Sequence, residues 1–102
     1  MEIEILQGEK EWVVTLTGRL DTPASQEAAA KFQPLMDNAD KTIVMDCKEL
    51  SYISSSGLRL FLSLRKACAA KSGKVILRSI NNDIRQVFTM TGLLSLFTVE
   101  DA

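Results

Sequence analysis

A strand pattern that leads directly into a helix pattern constrains the fold of this chain more than any other feature. The apolar run Thr42–Met45 is typical of a β-strand covered on both faces. From about Ser56 to Lys71, apolar side chains recur at helical spacing, and the predicted inward face contains Leu60, Phe61, Leu64, Ala67 and Cys68. Three consecutive serines and a glycine, residues 54–57, separate the two patterns. This order predicts small hydroxyl groups at a helix N-terminus, where free backbone N–H groups and the helix dipole favour negative charge.

The first part of the chain predicts an antiparallel strand pair. Polar and apolar residues alternate over Glu2–Leu6, as in a half-buried strand, and Trp12–Leu16 is rich in β-branched and aromatic residues. The segment between them, Gln7–Lys10, is polar and contains glycine, which is typical of a tight turn. Because so short a connection cannot join parallel strands, we expect these two to pair in antiparallel fashion.

A helix is predicted after this pair. Thr22 is expected to be its N-cap, with Pro23 at the first helical position, where a missing N–H costs no hydrogen bond. Apolar residues spaced by three or four positions predict the buried stripe, which contains Ala24, Ala28, Phe32 and Leu35. Pro34 should kink or shorten this helix, because proline clashes with the preceding turn.

The last third of the chain predicts two more strands and one more helix. Ser72–Gly73 should end the serine-led helix, with the glycine as its C-terminal cap. A strand around Val75–Leu77 follows, and a last short strand is expected at Phe97–Val99. Between them, the sequence Asn81–Asp83 should open a helix that Gly92 closes and that buries Ile84, Val87 and Phe88.

The resulting element order is ββαβαβαβ. Strands that alternate with helices predict an α/β fold with a mixed, mostly parallel sheet and one antiparallel N-terminal strand. The parallel strands should be joined by right-handed crossovers. The 102 residues are enough for one hydrophobic core, so we expect a single domain over residues 1–102.

Composition excludes several classes of function. The chain has no histidine, so it lacks the commonest metal ligand and the commonest general acid or base. Cys47 and Cys68 are isolated and are predicted to be small buried hydrophobic residues. The net charge of −1 does not indicate nucleic-acid binding, which usually requires an excess of basic residues. No apolar run approaches the ~20 residues that span a bilayer. The N-terminus carries no basic signal segment, so we expect a cytoplasmic protein without metal, cofactor or catalytic activity.

Three segments resemble the STAS domain family, which sulfate transporters share with bacterial anti-sigma-factor antagonists. Leu16–Asp21 is similar to the G-x-L-D signature that follows the family's second strand. Tyr52–Leu58 is similar to its phosphorylation loop, and Phe88–Leu93 is similar to the end of its third helix. The segments occur in the family's order, and the resemblance covers essentially the whole chain. It implies a superhelix of βα turns with helices mainly on one face of the sheet.

The resemblance also implies a function and a site. Such antagonists capture an anti-sigma factor that is also a serine kinase, and phosphorylation by that kinase dissolves the complex until a PP2C-type phosphatase resets it. Ser55 matches the phosphoacceptor, with Ser54 and Ser56 as less favoured alternatives. The expected partner-binding residues are Asp21, Thr22, Ser54, Ser56, Gly57 and Arg59, and the free protein is expected to be a monomer. Ser54 departs from the aspartate of sporulation-type antagonists, and a fourth helix seen in many members has no room in this sequence.

Other interpretations remain open at this point. From the residues alone, the serines predict helix capping, because serine is a preferred N-cap whatever the function. Asp21 is equally well explained as a turn residue or as an acid beside the acceptor. A second family role is a STAS subunit that binds the ATPase of a membrane lipid transporter and needs no phosphorylation. An enzyme or nucleotide-binding domain is disfavoured because no phosphate-binding glycine motif is present.

Overall fold

The computed structural model describes residues 1–100, and within them the chain folds around one five-stranded sheet. The elements in chain order are β1 (Glu2–Gln7), β2 (Glu11–Leu20), α1 (Thr22–Asp37), β3 (Thr42–Ile53), α2 (Ser55–Ala70), β4 (Lys74–Arg78), α3 (Asn82–Met90), a short 3-10 turn (Leu94–Leu96) and β5 (Thr98–Glu100). The spatial order of the strands equals their order in sequence, β1 pairs with β2 in antiparallel fashion, and the other neighbours are parallel. The predicted fold class and the order ββαβαβαβ are therefore confirmed.

One hydrophobic core lies between the sheet and all three helices. Four phenylalanines join its parts: the ring centroids of Phe32 and Phe61 are 6.3 Å apart, those of Phe61 and Phe88 5.8 Å, and those of Phe88 and Phe97 5.6 Å. The predicted helical stripes point into this core, where Ala28, Phe32, Leu35, Phe61, Leu64, Cys68, Ile84 and Phe88 are buried. Both cysteines are free and buried, as predicted.

The opposite face of the sheet carries no helix among the described residues. Along the strands, every second side chain faces this side and the others face the core. Val44 and Ile76 are buried at its centre, although they do not belong to the main hydrophobic core. Arg78 lies on this open face, where its Nε donates to Glu100 Oε1 at 2.8 Å and its guanidinium is 3.7 Å from Glu11. The sheet therefore has one face covered by the helices and one open face, and the two faces meet at the strand ends.

Three predictions about element ends are wrong. The sequence predicts that Pro34 kinks or shortens α1, but the helix is not shortened there and continues to Asp37, so the loss of one N–H is tolerated near the helix C-terminus. The residue with positive φ after α2 is Ser72, at 64°, and not Gly73. Gly73 has a different reason: a Cβ there would lie 2.0 Å from the Ala39 carbonyl oxygen, so only glycine permits this close backbone approach. The third, the start of α1, concerns the site.

Candidate functional site

Two register shifts occur between β2 and β3, one between Thr15 and Thr17 and one between Gly18 and Arg19, and the second shapes the carboxyl ends of these strands. Gly18 lies opposite Leu50, but Arg19 lies opposite Tyr52, so Ser51 is the extra residue on β3. Gly18 has a φ of 108°, which glycine adopts readily, and its carbonyl accepts a hydrogen bond from Ser51 Oγ at 3.0 Å. Such bulges re-aim side chains and are frequent beside functional sites. Here the bulge lets β3 continue far beyond the predicted Thr42–Met45, so no loop remains before α2.

Ser54 is the single residue between β3 and α2, and it caps the helix. Its backbone N–H donates to the Leu20 carbonyl at 2.9 Å, which continues the sheet by one hydrogen bond. Its Oγ accepts from the Gly57 N–H at 3.2 Å, and its carbonyl accepts from Leu58 at 2.9 Å. The side chain is only 7% exposed. The capping interpretation of the serines therefore holds for Ser54, whose buried hydroxyl is a poor target for a kinase.

The neighbouring helix α1 begins beside this cap in the same way. Asp21 is its N-cap, because its Oδ1 accepts from the Ala24 N–H at 2.9 Å. The prediction that Thr22 is the cap is wrong, since Thr22 is already helical and Pro23 follows at the second position. Ser25 joins the two helix starts: its Oγ donates to the Asp21 carbonyl at 2.7 Å and lies 3.4 Å from Ser54 Oγ. Two helix N-termini thus lie side by side, and each is capped by its own residue.

The three serines differ in exposure. Ser55, the predicted phosphoacceptor, is the first residue of α2 and is exposed to solvent. Ser56 is half-buried and Ser54 is buried. Thr22 occupies the matching first position of α1 and is also exposed. A kinase can therefore reach the Ser55 hydroxyl without disturbing the Ser54 cap.

Gly57 holds α2 close to the two strands. A Cβ at this position would lie 2.9 Å from Ile53 Cγ1 and 2.9 Å from Leu20 Cδ2, both on buried side chains. Any larger residue would push the helix start outward. Gly57 therefore lets the helix begin close to the strand ends, and its predicted contact with a partner stays a prediction.

Two residues at this end of the sheet were missed by the sequence analysis. The guanidinium carbon of Arg19 lies 4.3 Å from the centre of the Tyr52 ring, and Tyr52 is 40% exposed. The two lie on the open face, since their neighbours Leu20 and Ile53 point into the core. Strand alternation from Ile43 puts Tyr52 on this face, but its partner on β2 could not be predicted, because two register shifts change which residues lie opposite each other. Arg59, one turn after Ser55 on α2, is exposed as predicted.

Within residues 1–100, cysteine, aspartate and glutamate side chains form no group of three that could hold a metal ion. The same part of the chain contains no helix that is both long and apolar enough to cross a membrane. What the site does contain is an exposed hydroxyl, two helix N-termini and exposed arginines. These groups suit protein recognition and reversible modification.

A family model described as "STAS domain" matches residues 2–102. The chain belongs to the STAS domain family. Among curated proteins, this STAS domain is 29% identical to a Bordetella bronchiseptica protein named as a candidate anti-sigma factor antagonist, BtrV, over 88% of this chain and 78% of the relative. It is 26% identical to the anti-sigma-B factor antagonist of Staphylococcus aureus, over 99% of this chain and 94% of the relative.

Solved structures give the same result. The unphosphorylated form of the anti-sigma factor antagonist SpoIIAA is 25% identical, with a TM-score of 0.77 over 99% of this chain and 89% of that one. The phosphorylated form of SpoIIAA from Bacillus is 27% identical, with the same TM-score, over 99% and 91% of the two chains. A protein from Thermotoga maritima, 16% identical with a TM-score of 0.88 over 98% of this chain and 86% of that one, shares the fold.

Proposed function

We propose that this STAS domain is an anti-sigma-factor antagonist that is switched by phosphorylation of Ser55. The observation that carries the proposal is the exposed Ser55 hydroxyl at the first position of α2, above the buried cap Ser54. The names of the curated relatives support the antagonist role, and the existence of a phosphorylated SpoIIAA structure supports the chemistry. The partner is an anti-sigma factor that is also a serine kinase.

The substrate needs little chemistry of its own in this reaction. Phosphoryl transfer depends on positioning and charge stabilisation, and the kinase supplies the nucleotide, the metal and the base. Ser55 is held in position because Ser54, directly before it, donates to Leu20, and the N–H of Gly57, two residues after it, donates to Ser54. The hydroxyl is therefore presented in one geometry at low entropic cost. A PP2C-type phosphatase completes the cycle by hydrolysing the same ester.

Phosphorylation acts on the complex and not on the fold. The phosphate adds about −1.5 to −2 charges, and an exposed helix N-terminus offsets only ~0.3–1 kcal/mol of the cost. A change from 99% bound to 99% free needs about 5.5 kcal/mol. Burying an unpaired dianion in an interface costs several kcal/mol, so one phosphate at its centre is sufficient. The free domain, a cytoplasmic monomer over residues 1–102, stays folded in both states.

Mass spectrometry after incubation with the anti-sigma factor and Mg-ATP tests this proposal. We expect one added phosphoryl group on Ser55, none in Ser55→Ala, and unchanged modification of the matched control Ser56→Ala. Ser55→Glu should lose binding while its melting temperature stays within a few degrees of the wild type. Absence of modification by every serine-kinase anti-sigma factor of the same organism contradicts the switch. Binding of the unmodified domain to the ATPase of a membrane lipid transporter would then favour the alternative family role.

A further inference from the structure

The exposed pair Arg19 and Tyr52 is not explained by the fold. Tyr52 is 40% exposed, whereas the other five aromatic residues are buried, and its ring face is covered by the Arg19 guanidinium at 4.3 Å. Among the described residues, Arg19 has no carboxylate within salt-bridge distance and no hydrogen-bond acceptor. Its five N–H donors lie in the plane of the guanidinium, so stacking on Tyr52 leaves them free.

The position of this pair is specified by the same bulge that positions the serine site. Because Ser51 is the extra residue on β3, Tyr52 lies beside Arg19 on the open face, and Ile53 lies beside Leu20 in the core. Ser54 follows immediately, and its N–H donates to Leu20. Tyr52 thus precedes Ser55 by three residues, at the end of β3 where α2 begins, and Arg19 lies beside it on β2.

We infer that Arg19 and Tyr52 form a docking point that binds a carboxylate side chain of the protein that recognises Ser55. This inference rests on the proposed function and adds to it the chemistry of the partner. The planar fork of arginine matches both oxygens of an aspartate or glutamate, and the tyrosine ring holds the fork in place. Arginine and tyrosine are also the residue types that most often dominate the binding energy of protein interfaces.

Charge at this end of the domain supports a carboxylate as the occupant. Arg59 is a second exposed cation that has no carboxylate partner among residues 1–100. The acids that share the open face near Arg19 are Glu2 and Glu49, which pair with Thr17 from either side, and neither lies within salt-bridge distance of Arg19. A partner with an acidic side chain opposite Arg19 would meet unpaired donors, whereas a basic side chain there would be repelled by the guanidinium.

Binding of the unphosphorylated domain to its immobilised anti-sigma factor tests this inference. We expect Arg19→Glu to weaken binding by about a hundredfold, and Arg19→Gln and Tyr52→Ala by about tenfold each. The matched control is Lys74→Glu, which reverses one exposed charge at the opposite end of the sheet and should change the dissociation constant less than twofold. All variants should keep the wild-type melting temperature within a few degrees, because the altered side chains are at the surface.

A compensating substitution makes the test specific for a carboxylate. Exposed acidic residues of the anti-sigma factor are replaced one at a time by lysine, and one of these variants should bind Arg19→Glu better than it binds wild type. If Arg19→Glu binds as tightly as Lys74→Glu while Ser55→Glu does not bind, the docking point is rejected and the phosphorylation switch stands. If wild type fails to bind at all, both proposals are rejected. If Arg19→Glu loses binding but no lysine variant of the anti-sigma factor restores it, the inference that Arg19 binds a carboxylate is rejected.

Discussion

Replacing Ser54 by alanine should destabilise the domain, although serine and alanine are similar in size. The substitution removes the acceptor of the Gly57 N–H, which lies in a buried part of the site. It also removes the weaker contact with Ser25 Oγ at 3.4 Å, but Ser25 keeps its stronger bond to the Asp21 carbonyl at 2.7 Å. The main loss is therefore one capping hydrogen bond.

The expected magnitude follows from this single bond. Loss of a serine N-cap costs about 0.5–2 kcal/mol, and a buried N–H left without a partner places Ser54→Ala in the upper half of that range. For a domain of this size each kcal/mol lowers the melting temperature by roughly 4–8 °C. Ser55→Ala removes an exposed hydroxyl with no such role and should stay within about 0.5 kcal/mol of wild type.

Urea and thermal unfolding of Ser54→Ala, Ser55→Ala and Ser54→Asp measure these differences. Aspartate is as good an N-cap as serine, so Ser54→Asp should recover most of the stability that alanine loses. Equal stability of the two alanine variants, or a larger loss in Ser55→Ala, would refute the division of roles between cap and acceptor. The assay needs no partner protein, so its outcome is independent of the proposed function.

Three further predictions concern the rest of the domain. Asp21→Ala should lose about 1 kcal/mol in urea unfolding, because the cap of α1 is removed. Gly73→Ala should lose more than 3 kcal/mol or fail to fold, because its Cβ would lie 2.0 Å from a backbone oxygen, and circular dichroism reports this directly. Burial, with a smaller contribution from Asp46, raises the pKa of Cys47 to about 12. The unfolded thiol ionises near pH 8.5, so stability should fall as pH rises above 9, by about 1–2 kcal/mol between pH 8 and 10 relative to Cys47→Ala.

The fold could be predicted because each element repeats its own hydrophobic period. The stripe of α1 and the apolar run of β3 are long enough to be distinguished, and their order leaves few topologies. The hydrophobic pattern also put the three serines at the start of α2, but the choice of Ser55 among them came from the family resemblance. What the pattern could not specify, to within one residue, was the register between β2 and β3 at their carboxyl ends.

The errors share one physical cause, which is that two residues were locally suitable for the same role. Asp21 and Thr22 are both good N-caps, and the choice depends on Leu20, which must be buried opposite Ile53. Ser72 and Gly73 could both have taken the positive φ, and the approach to the Ala39 carbonyl decided that the glycine was needed for space. Such choices are made by tertiary contacts, which single-sequence patterns do not contain.

The bulge at Ser51 determines which serine is offered to a partner. If β2 and β3 paired without the register shift, Leu20 would lie opposite Tyr52, and the N–H that donates to Leu20 would belong to Ile53. The helix would then begin with an isoleucine at its cap, which has no side-chain acceptor, and Ser54 would occupy the exposed first position. The shift at Ser51 therefore sets which residue of β3 lies opposite Leu20, and with it the positions of Ser54 at the cap and of Tyr52 beside Arg19. The cap, the acceptor and the proposed docking point depend together on the register shifts by which β3 gains residues relative to β2.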